Sequence, residues 1–316
     1  MKWVGRLFGL IIVALVALIA WGWQSDMSLA ELTPRYTTEA SRFVTLDNGL
    51  AVHARDEGNQ NGETIVLIHG SSASLHTWEP WVARLKDDYR VVSMDLAGHG
   101  LTGPHPTHDY SMAGQAALVD ETLRKMNIPD GYTIVGSSMG GFISWLHTLN
   151  YADRVKRLAI IGSSGMPYDT KGDQPFIYRA MKMPGIRNIM RKVTPRVAVA
   201  DTMRKVYNGN PAVVTEEMID RYWHMLLREG NREATGIRNQ GQRDMTAYKR
   251  LPDLYQPTLV MWGEVDALVP ATDATRFAEI LPDPTLVIYP DLGHIPFEED
   301  ADRTVADFKT FLSANP

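Results

Sequence analysis

The 316-residue chain contains no cysteine, which excludes disulfides, thiolate nucleophiles and cysteine-ligated zinc. It also lacks a dense run of lysine or arginine, and its formal net charge is −5. Because proteins that bind nucleic acid present a basic face to the phosphates, nucleic acid is not an expected partner. The chain has one long apolar run, and 44% of its residues are hydrophobic, which suits one large core with an insertion.

The long apolar run extends from residue 7 to residue 20. Lys2 and Arg6 precede it, and Trp21 and Trp23 follow it as interfacial aromatic anchors would. Counted through Trp23, the run reaches the lower length limit of a helix that spans a bilayer, about 17 residues. Since positive charge precedes the run, we expect the N-terminus in the cytoplasm and the rest of the chain on the exported side.

We therefore predict a signal anchor over residues 1–24 and a polar linker over 25–41. The alternative is a signal peptide that is cleaved, which would make the protein secreted. Ala20 is small, as a cleavage site requires, but the sequence WGWQ that follows it is a poor cleavage context. A chain that is soluble throughout is a third interpretation.

Short apolar runs alternate with segments of helical periodicity from residue 64 onward. Continuous apolar runs are typical of strands that are buried on both faces. The alternation predicts an α/β fold with a mostly parallel sheet flanked by helices. The six predicted strands cover 64–68, 90–94, 132–135, 157–161, 258–262 and 285–289, and the clearest helices cover 78–86, 111–126, 140–150 and 301–312. Upstream, an Asn-Gly hairpin signal joins two more strand-like runs, at 42–46 and 50–55.

The interval from about 166 to 251 breaks this alternation, because it has helical stretches and no clear strand. We predict a helical cap inserted there into a domain that covers 42–316. Methionine fills irregular space, so the methionines of the cap could line an adaptable apolar acyl pocket, or they could be ordinary cap core. They are Met181, Met183, Met190, Met203, Met218, Met225 and Met245.

The strongest motif is GSSMG at 136–140, between a predicted strand and a predicted helix. This is the context of a nucleophile elbow, in which a serine sits on a sharp turn and its neighbours two before and two after are small. Ser138 has glycine at both of those positions. Ser137 has Val135 and Met139 there, so Ser138 is the predicted nucleophile.

A serine at its ordinary pKa needs a base, and the base needs a carboxylate that fixes its tautomer. His294 follows the last predicted strand, where a loop can present a side chain over the sheet, and is the predicted base. Asp266 follows the preceding strand and is the predicted acid, with Asp169 as the alternative. Glu264, two residues before Asp266, is interpreted as a solvated or supporting group.

A tetrahedral intermediate needs donors for its oxyanion. One predicted donor is the backbone N–H of Met139, the residue after the nucleophile. The other comes from the loop after the strand at 64–68, where the N–H of Ser71 is the first choice and that of Ser72 the alternative. His69 directly follows that buried strand, so we interpret it as structural.

Three histidines share the loop that follows the strand at 90–94, namely His99, His105 and His108. A metal site there is conceivable, but no histidine or carboxylate at helical spacing supports it. The glycine turn that begins at Asp95 is interpreted as structural. We therefore predict neither a metal nor a cofactor.

Together these motifs resemble the α/β-hydrolase family over about residues 42–316. The resemblance rests on His69-Gly70, the turn at 95–100, the elbow at 136–140, Asp266 and Gly293-His294. It implies the fold and a triad of Ser138, Asp266 and His294, in that family's chain order. Haloalkane dehalogenases and epoxide hydrolases carry an aspartate at the elbow, so the serine sets them aside, and the HGGG loop of many esterases is absent.

Within the family, the elbow is similar to those of monoacylglycerol-lipase-like members and of meta-cleavage C–C hydrolases. C–C hydrolases usually carry tryptophan after the histidine, whereas this chain has Ile295. An N-terminal anchor also resembles membrane-bound monoacylglycerol lipases. We therefore expect an esterase or lipase acting on a small ester with an apolar acyl group. The alternatives are a C–C hydrolase and a catalytically silent, membrane-tethered binding module.

Overall fold

The computed structural model describes residues 2–167, 191–241, 244 and 246–316. Eight strands form one sheet in the order β1-β2-β4-β3-β5-β6-β7-β8. The strands are β1 Ser41–Thr45, β2 Ala51–Gly58, β3 Thr64–Ile68, β4 Arg90–Met94, β5 Tyr132–Ser137, β6 Val155–Ile161, β7 Thr258–Gly263 and β8 Pro284–Tyr289. Strand β2 is antiparallel to both of its neighbours, and β3 to β8 are parallel.

This sheet confirms the predicted α/β architecture, since all six apolar runs and both upstream runs form strands. The Asn-Gly signal joins β1 to β2, and Gly49 takes the positive φ of 84° that such a turn requires. Every residue of β3, β5 and β7 is buried. The prediction that β8 is buried on both faces is wrong, since Leu286 and Ile288 are 39% and 38% exposed. The reason is that β8 is the last strand of the sheet.

Helices cover the sheet and form the described part of the cap. They are α1 Lys2–Gly22, α2 Leu29–Tyr36, α3 Glu79–Leu85, α4 Met112–Lys125, α5 Met139–Asn150, α6 Arg196–Val206, α7 Glu216–Leu227, α8 Asn231–Arg238, α9 Thr272–Ile280, α10 Pro296–Glu299 and α11 Ala301–Ala314. Four of them, α3, α4, α5 and α11, lie where helical periodicity predicted them.

Helices α6 to α8 lie in the interval predicted as a cap, which contains no strand within its described residues. Met203 packs among buried residues that include Tyr207 and Ile219. Met225 packs with Leu32 and Leu101. These two methionines are therefore ordinary core. Met181, Met183, Met190 and Met245 lie outside the described residues, and the bounds of the cap stay a prediction.

The segment predicted as a polar linker contains helix α2. Ser28 caps this helix, and its backbone N–H donates to the Glu31 carboxylate at 2.8 Å. Leu32 is fully buried against Leu101 and Met225. The S-x-x-E capping box was the signal for this helix, and the linker prediction overlooked it.

Helix α1 occupies the predicted anchor, and several of its large apolar side chains are exposed, such as Trp3 (80%) and Trp21 (63%). Within the parts of the chain that the structure describes, no helix has the length and apolarity needed to cross a membrane. The predicted spanning helix is therefore not supported. After α1 the chain joins the cap, where the N–H of Met27 donates to the Leu227 carbonyl at 2.8 Å.

Candidate active site

Ser138 lies at the junction of β5 and α5 with φ 54° and ψ −117°, a conformation that non-glycine residues rarely adopt. A Cβ atom on Gly136 would lie 2.2 Å from the Gly140 carbonyl oxygen, and one on Gly140 would lie 2.3 Å from that of Ile68. Both flanking positions therefore require glycine. The N–H of Ser138 donates to the Ile161 carbonyl at 2.9 Å, which fixes the turn against β6.

His294 and Asp266 form a buried pair. His294 Nδ1 lies 2.7 Å from Asp266 Oδ2, and the two side chains are 5% and 0% exposed. The other carboxylate oxygen, Oδ1, accepts the backbone N–H groups of Leu268 and Val269 at 2.7 and 2.9 Å. The carboxylate is therefore fixed on both sides, and it holds the imidazole with Nδ1 as donor and Nε2 free to accept a proton.

Ser138, Asp266 and His294 all follow the carboxyl ends of parallel strands, namely β5, β7 and β8. They meet around Gly162, just after β6. A Cβ atom on Gly162 would lie 3.3 Å from His294 Nδ1 and 3.5 Å from Asp266 Oδ2, and its neighbour Ile161 binds the serine backbone. Among the described residues no hydrogen bond joins the Ser138 hydroxyl to His294; such bonds often form only with substrate bound.

The loop after β3 packs directly on the serine. A Cβ atom on Gly70 would lie 3.2 Å from Ser138 Cβ, and Ser72 has a positive φ of 61°. Neither Ser71 N–H nor Met139 N–H has a hydrogen-bond partner among the described residues. Both groups are therefore available to an oxyanion, and their assignment as the oxyanion hole stays a prediction.

His69 is structural, as expected from its place at the end of β3. Its Nδ1 donates to the Gly70 carbonyl at 2.7 Å, and its Nε2 accepts the N–H of Leu96 at 3.0 Å. Burial lowers the pKa of His69, so the ring is neutral at neutral pH. It joins the loop after β3 to the turn that follows β4.

Asp95 opens that turn and is also structural. Its buried carboxylate accepts the N–H groups of Leu75 and Leu101 at 2.7 and 2.8 Å, together with His53 Nδ1 at 2.8 Å. Burial raises the pKa of Asp95, but its hydrogen bond with His53 and the neighbouring histidines His53, His76 and His69 together lower it by more, so the net pKa lies below its usual range. Asp95 is therefore ionised, and it holds the backbone at Leu75 and Leu101 in place.

Two of the three histidines in the loop after β4 have hydrogen-bond partners elsewhere in the chain. His99 is buried and accepts Arg238 Nη1 at 2.6 Å, while His105 Nε2 lies 2.9 Å from the side-chain nitrogen of Asn48. His108 is exposed at a loop position with positive φ. No group of three His, Cys, Asp or Glu side chains within the described residues is placed to hold a metal ion.

One cationic residue beside the candidate site was not predicted from the sequence. Arg238, at the end of α8 in the cap, donates to the Ser71 hydroxyl at 2.8 Å, so the cap places a cation beside the oxyanion loop. No motif marks this arginine, because only the tertiary approach of the cap brings it there. The alternative acid Asp169 lies outside the described residues, and Glu264 is exposed.

A cavity of about 600 Å³ opens between α2, α3 and α7 and is lined by charged groups such as Arg55, Glu79 and Arg221. None of Ser138, Asp266 and His294 lines it. The candidate site is therefore identified by the geometry of its side chains rather than by cavity size.

The profile of a family described as the alpha/beta hydrolase fold matches residues 63–301, and this chain belongs to that family. A 2-hydroxy-6-oxononadienedioate/2-hydroxy-6-oxononatrienedioate hydrolase of Cupriavidus pinatubonensis is 29% identical over 293 residues, which cover 86% of this chain and 96% of that protein. Lipase 1 of Psychrobacter immobilis is 24% identical over 281 residues, which cover 86% of this chain and 84% of the lipase.

Among solved structures, a membrane phospholipase A described as a bacterial virulence factor superposes with a TM-score of 0.70. It is 22% identical, and the match covers 99% of each chain. At this identity the likeness concerns the fold alone. Hydrolases of esters and of C–C bonds thus both occur among the relatives of this chain.

Proposed function

We propose that the protein is a serine hydrolase that cleaves carboxylic esters, lipid-like or of the monoacylglycerol type, through an acyl-enzyme. The observation that carries the proposal is the buried His294–Asp266 pair, 2.7 Å between Nδ1 and Oδ2, at the sheet end where Ser138 lies on its glycine-flanked turn. Such a pair activates a hydroxyl by accepting its proton on the opposite ring nitrogen.

The reaction has two stages. Ser138 Oγ attacks the ester carbonyl while His294 Nε2 takes the hydroxyl proton, and the N–H groups of Met139 and Ser71 stabilise the oxyanion. The imidazolium then protonates the leaving alcohol, and the acyl group stays on Ser138. Water attacks this acyl-enzyme with His294 again as base, which releases the acid and restores the serine.

The names of two relatives support different chemistries. The name of Lipase 1 supports ester hydrolysis. The second candidate is C–C hydrolysis of meta-cleavage type, since the relative from Cupriavidus pinatubonensis acts on a dioate. Arg238 favours this candidate, because a substrate carboxylate would meet its guanidinium beside Ser71.

A panel of p-nitrophenyl esters from acetate to palmitate tests the first candidate. We expect kcat/KM to be higher for medium or long acyl chains than for acetate, because each buried methylene adds about 0.8 kcal/mol of binding. The Ser138→Ala variant controls for hydrolysis outside the site. Activity confined to acetate would count against a lipid-like substrate.

A 2-hydroxy-6-oxo-dienoate assayed in parallel separates the two candidates. Greater turnover of this compound than of any ester, with a loss in Arg238→Gln that the esters do not share, would favour the C–C hydrolase. Hydrolysis of neither class and no reaction with an active-site probe would favour the third interpretation, a binding module.

We also propose that residues 1–24 attach the protein to a membrane and that the hydrolase domain lies on the exported side. The exposed tryptophans of α1 and the positive charge of Lys2 and Arg6 support this proposal. We expect deletion of residues 1–23 to move the protein from the membrane fraction to the soluble fraction. Membrane association that persists after the deletion would contradict it, and so would protection of the domain from protease added on the exported side.

A further inference from the structure

A turn of the cap contacts both loops that carry the candidate catalytic pair. This turn, residues 206–210, begins at the last residue of α6. The side-chain amide of Asn208 donates to the carbonyl of Val265 at 2.6 Å, one residue before Asp266. The backbone carbonyl of Val206 accepts the N–H of His294 at 3.3 Å. The 206–210 turn therefore bridges the acid loop and the histidine loop.

Glu299, at the end of α10, completes this bridge. Its carboxylate accepts the N–H of Gly293 on Oε2 at 2.9 Å and that of Ile295 on Oε1 at 3.4 Å, the two residues on either side of His294. Its backbone carbonyl accepts the side-chain amide of Asn210 at 3.1 Å. Glu299 is 3% exposed, so these donors replace the water that a carboxylate would otherwise bind.

The glycines at these contacts show how closely the segments approach. A Cβ atom on Gly293 would lie 2.3 Å from Asn208 Oδ1 and 2.8 Å from Glu299 Oε1. One on Gly209 would lie 2.4 Å from Glu299 Oε2. The turn, the histidine loop and Glu299 thus pack with no room for a larger residue at either position.

We propose that Glu299 and Asn208 are positioning residues that hold His294 in register with Asp266. This proposal rests on the proposed function, because it assigns a role to residues around the same histidine. Neither side chain contacts the reacting atoms. Glu299 holds the backbone on both sides of His294, and Asn208 holds the backbone next to Asp266. Together they set the distance between the His294 imidazole and the Asp266 carboxylate.

The neighbouring carboxylate, Glu298, provides a matched control. It is also buried, but among the described residues its carboxylate accepts no N–H of the histidine loop. It accepts the hydroxyls of Thr77, Tyr207 and Tyr222 and pairs with Arg221. Burial raises the pKa of both Glu298 and Glu299. The Glu298→Gln variant keeps an acceptor oxygen for the hydroxyls. The Glu299→Gln variant instead turns an amide N–H₂ group toward the backbone N–H of Gly293 or Ile295.

The test compares Glu299→Gln, Glu298→Gln and Asn208→Ala in the full chain, with p-nitrophenyl butyrate as substrate. We expect Glu299→Gln to lower kcat by about 10²-fold with KM little changed, because a small displacement of the base slows the chemical step without touching the substrate. Glu298→Gln should retain kcat. Asn208→Ala, at an exposed position, should fold normally and show an intermediate loss in kcat.

Proton NMR gives a readout that does not depend on turnover. The Nδ1 proton between His294 and Asp266 should resonate at low field in the wild type and in Glu298→Gln, and should shift or broaden in Glu299→Gln and Asn208→Ala. An unchanged resonance and kcat in both Asn208→Ala and Glu299→Gln would overturn the proposal, and equal losses in the two glutamate variants would do so too. A wild type that hydrolyses no ester would refute the proposed function, while the resonance would still test the positioning.

Discussion

Alanine at position 138 is expected to lower kcat for ester hydrolysis by about 10⁶-fold, the loss seen when the nucleophile of such a triad is removed. The physical reason is that no other hydroxyl lies on the elbow: Ser137, the adjacent serine, is buried within β5. The measurement is the steady-state rate with p-nitrophenyl butyrate, together with labelling by a fluorophosphonate probe. The wild type should be labelled, and Ser138→Ala should not.

The matched control is Ser137→Ala, which removes a neighbouring hydroxyl and leaves the glycines of the motif in place. It should retain labelling and most of kcat. Probe labelling that survives in Ser138→Ala would show that another residue is the nucleophile. No labelling of the wild type would favour the binding module.

Asparagine at position 266 is expected to lower kcat by about 10⁴-fold, with KM little changed. In the unsubstituted protein, the buried carboxylate of Asp266 accepts His294 Nδ1–H at 2.7 Å. An amide can instead present N–H₂ to that nitrogen, which stabilises the wrong tautomer and leaves Nε2 protonated and unable to act as base. The measurement is the steady-state kcat with p-nitrophenyl butyrate.

Two variants test whether the effect is specific to Asp266. Glu264→Gln removes an exposed carboxylate from the same loop and should leave kcat unchanged. Asp169→Asn tests the alternative acid, and it should also leave kcat unchanged. A larger loss in Asp169→Asn than in Asp266→Asn would transfer the role of the acid to Asp169.

The strands and the glycine-flanked turn at Ser138 could be predicted because their determinants are local in sequence. Continuous apolar runs identified β3 and β4 with the observed bounds. Gly136 and Gly140 are required because a Cβ atom at the first position would clash with the Gly140 carbonyl, and one at the second with the carbonyl of Ile68 in β3. The pairing of Asp266 with His294 could be predicted because each residue follows a parallel strand. Parallel strands bring their carboxyl ends to one edge of the sheet.

The contributions of the cap could not be predicted in this way. Arg238 and Asn208 reach the site only because α8 and the 206–210 turn fold back over the sheet, and no spacing in the sequence records that approach. Glu299 lies five residues after the histidine, but its role depends on which backbone groups it faces. The exposure of β8 depends on its place at the edge of the sheet, which sequence order alone does not give.

The backbone at Ser138, with φ 54° and ψ −117°, also bears on how this fold can change. A residue with a Cβ atom held in such a conformation costs on the order of 1–3 kcal/mol, a cost that glycine avoids. Ser138→Gly would therefore relieve this strain and is expected to raise the melting temperature. Variants of this chain that have lost activity in evolution should tend toward glycine at this position, and gains in melting temperature there should accompany the loss of turnover.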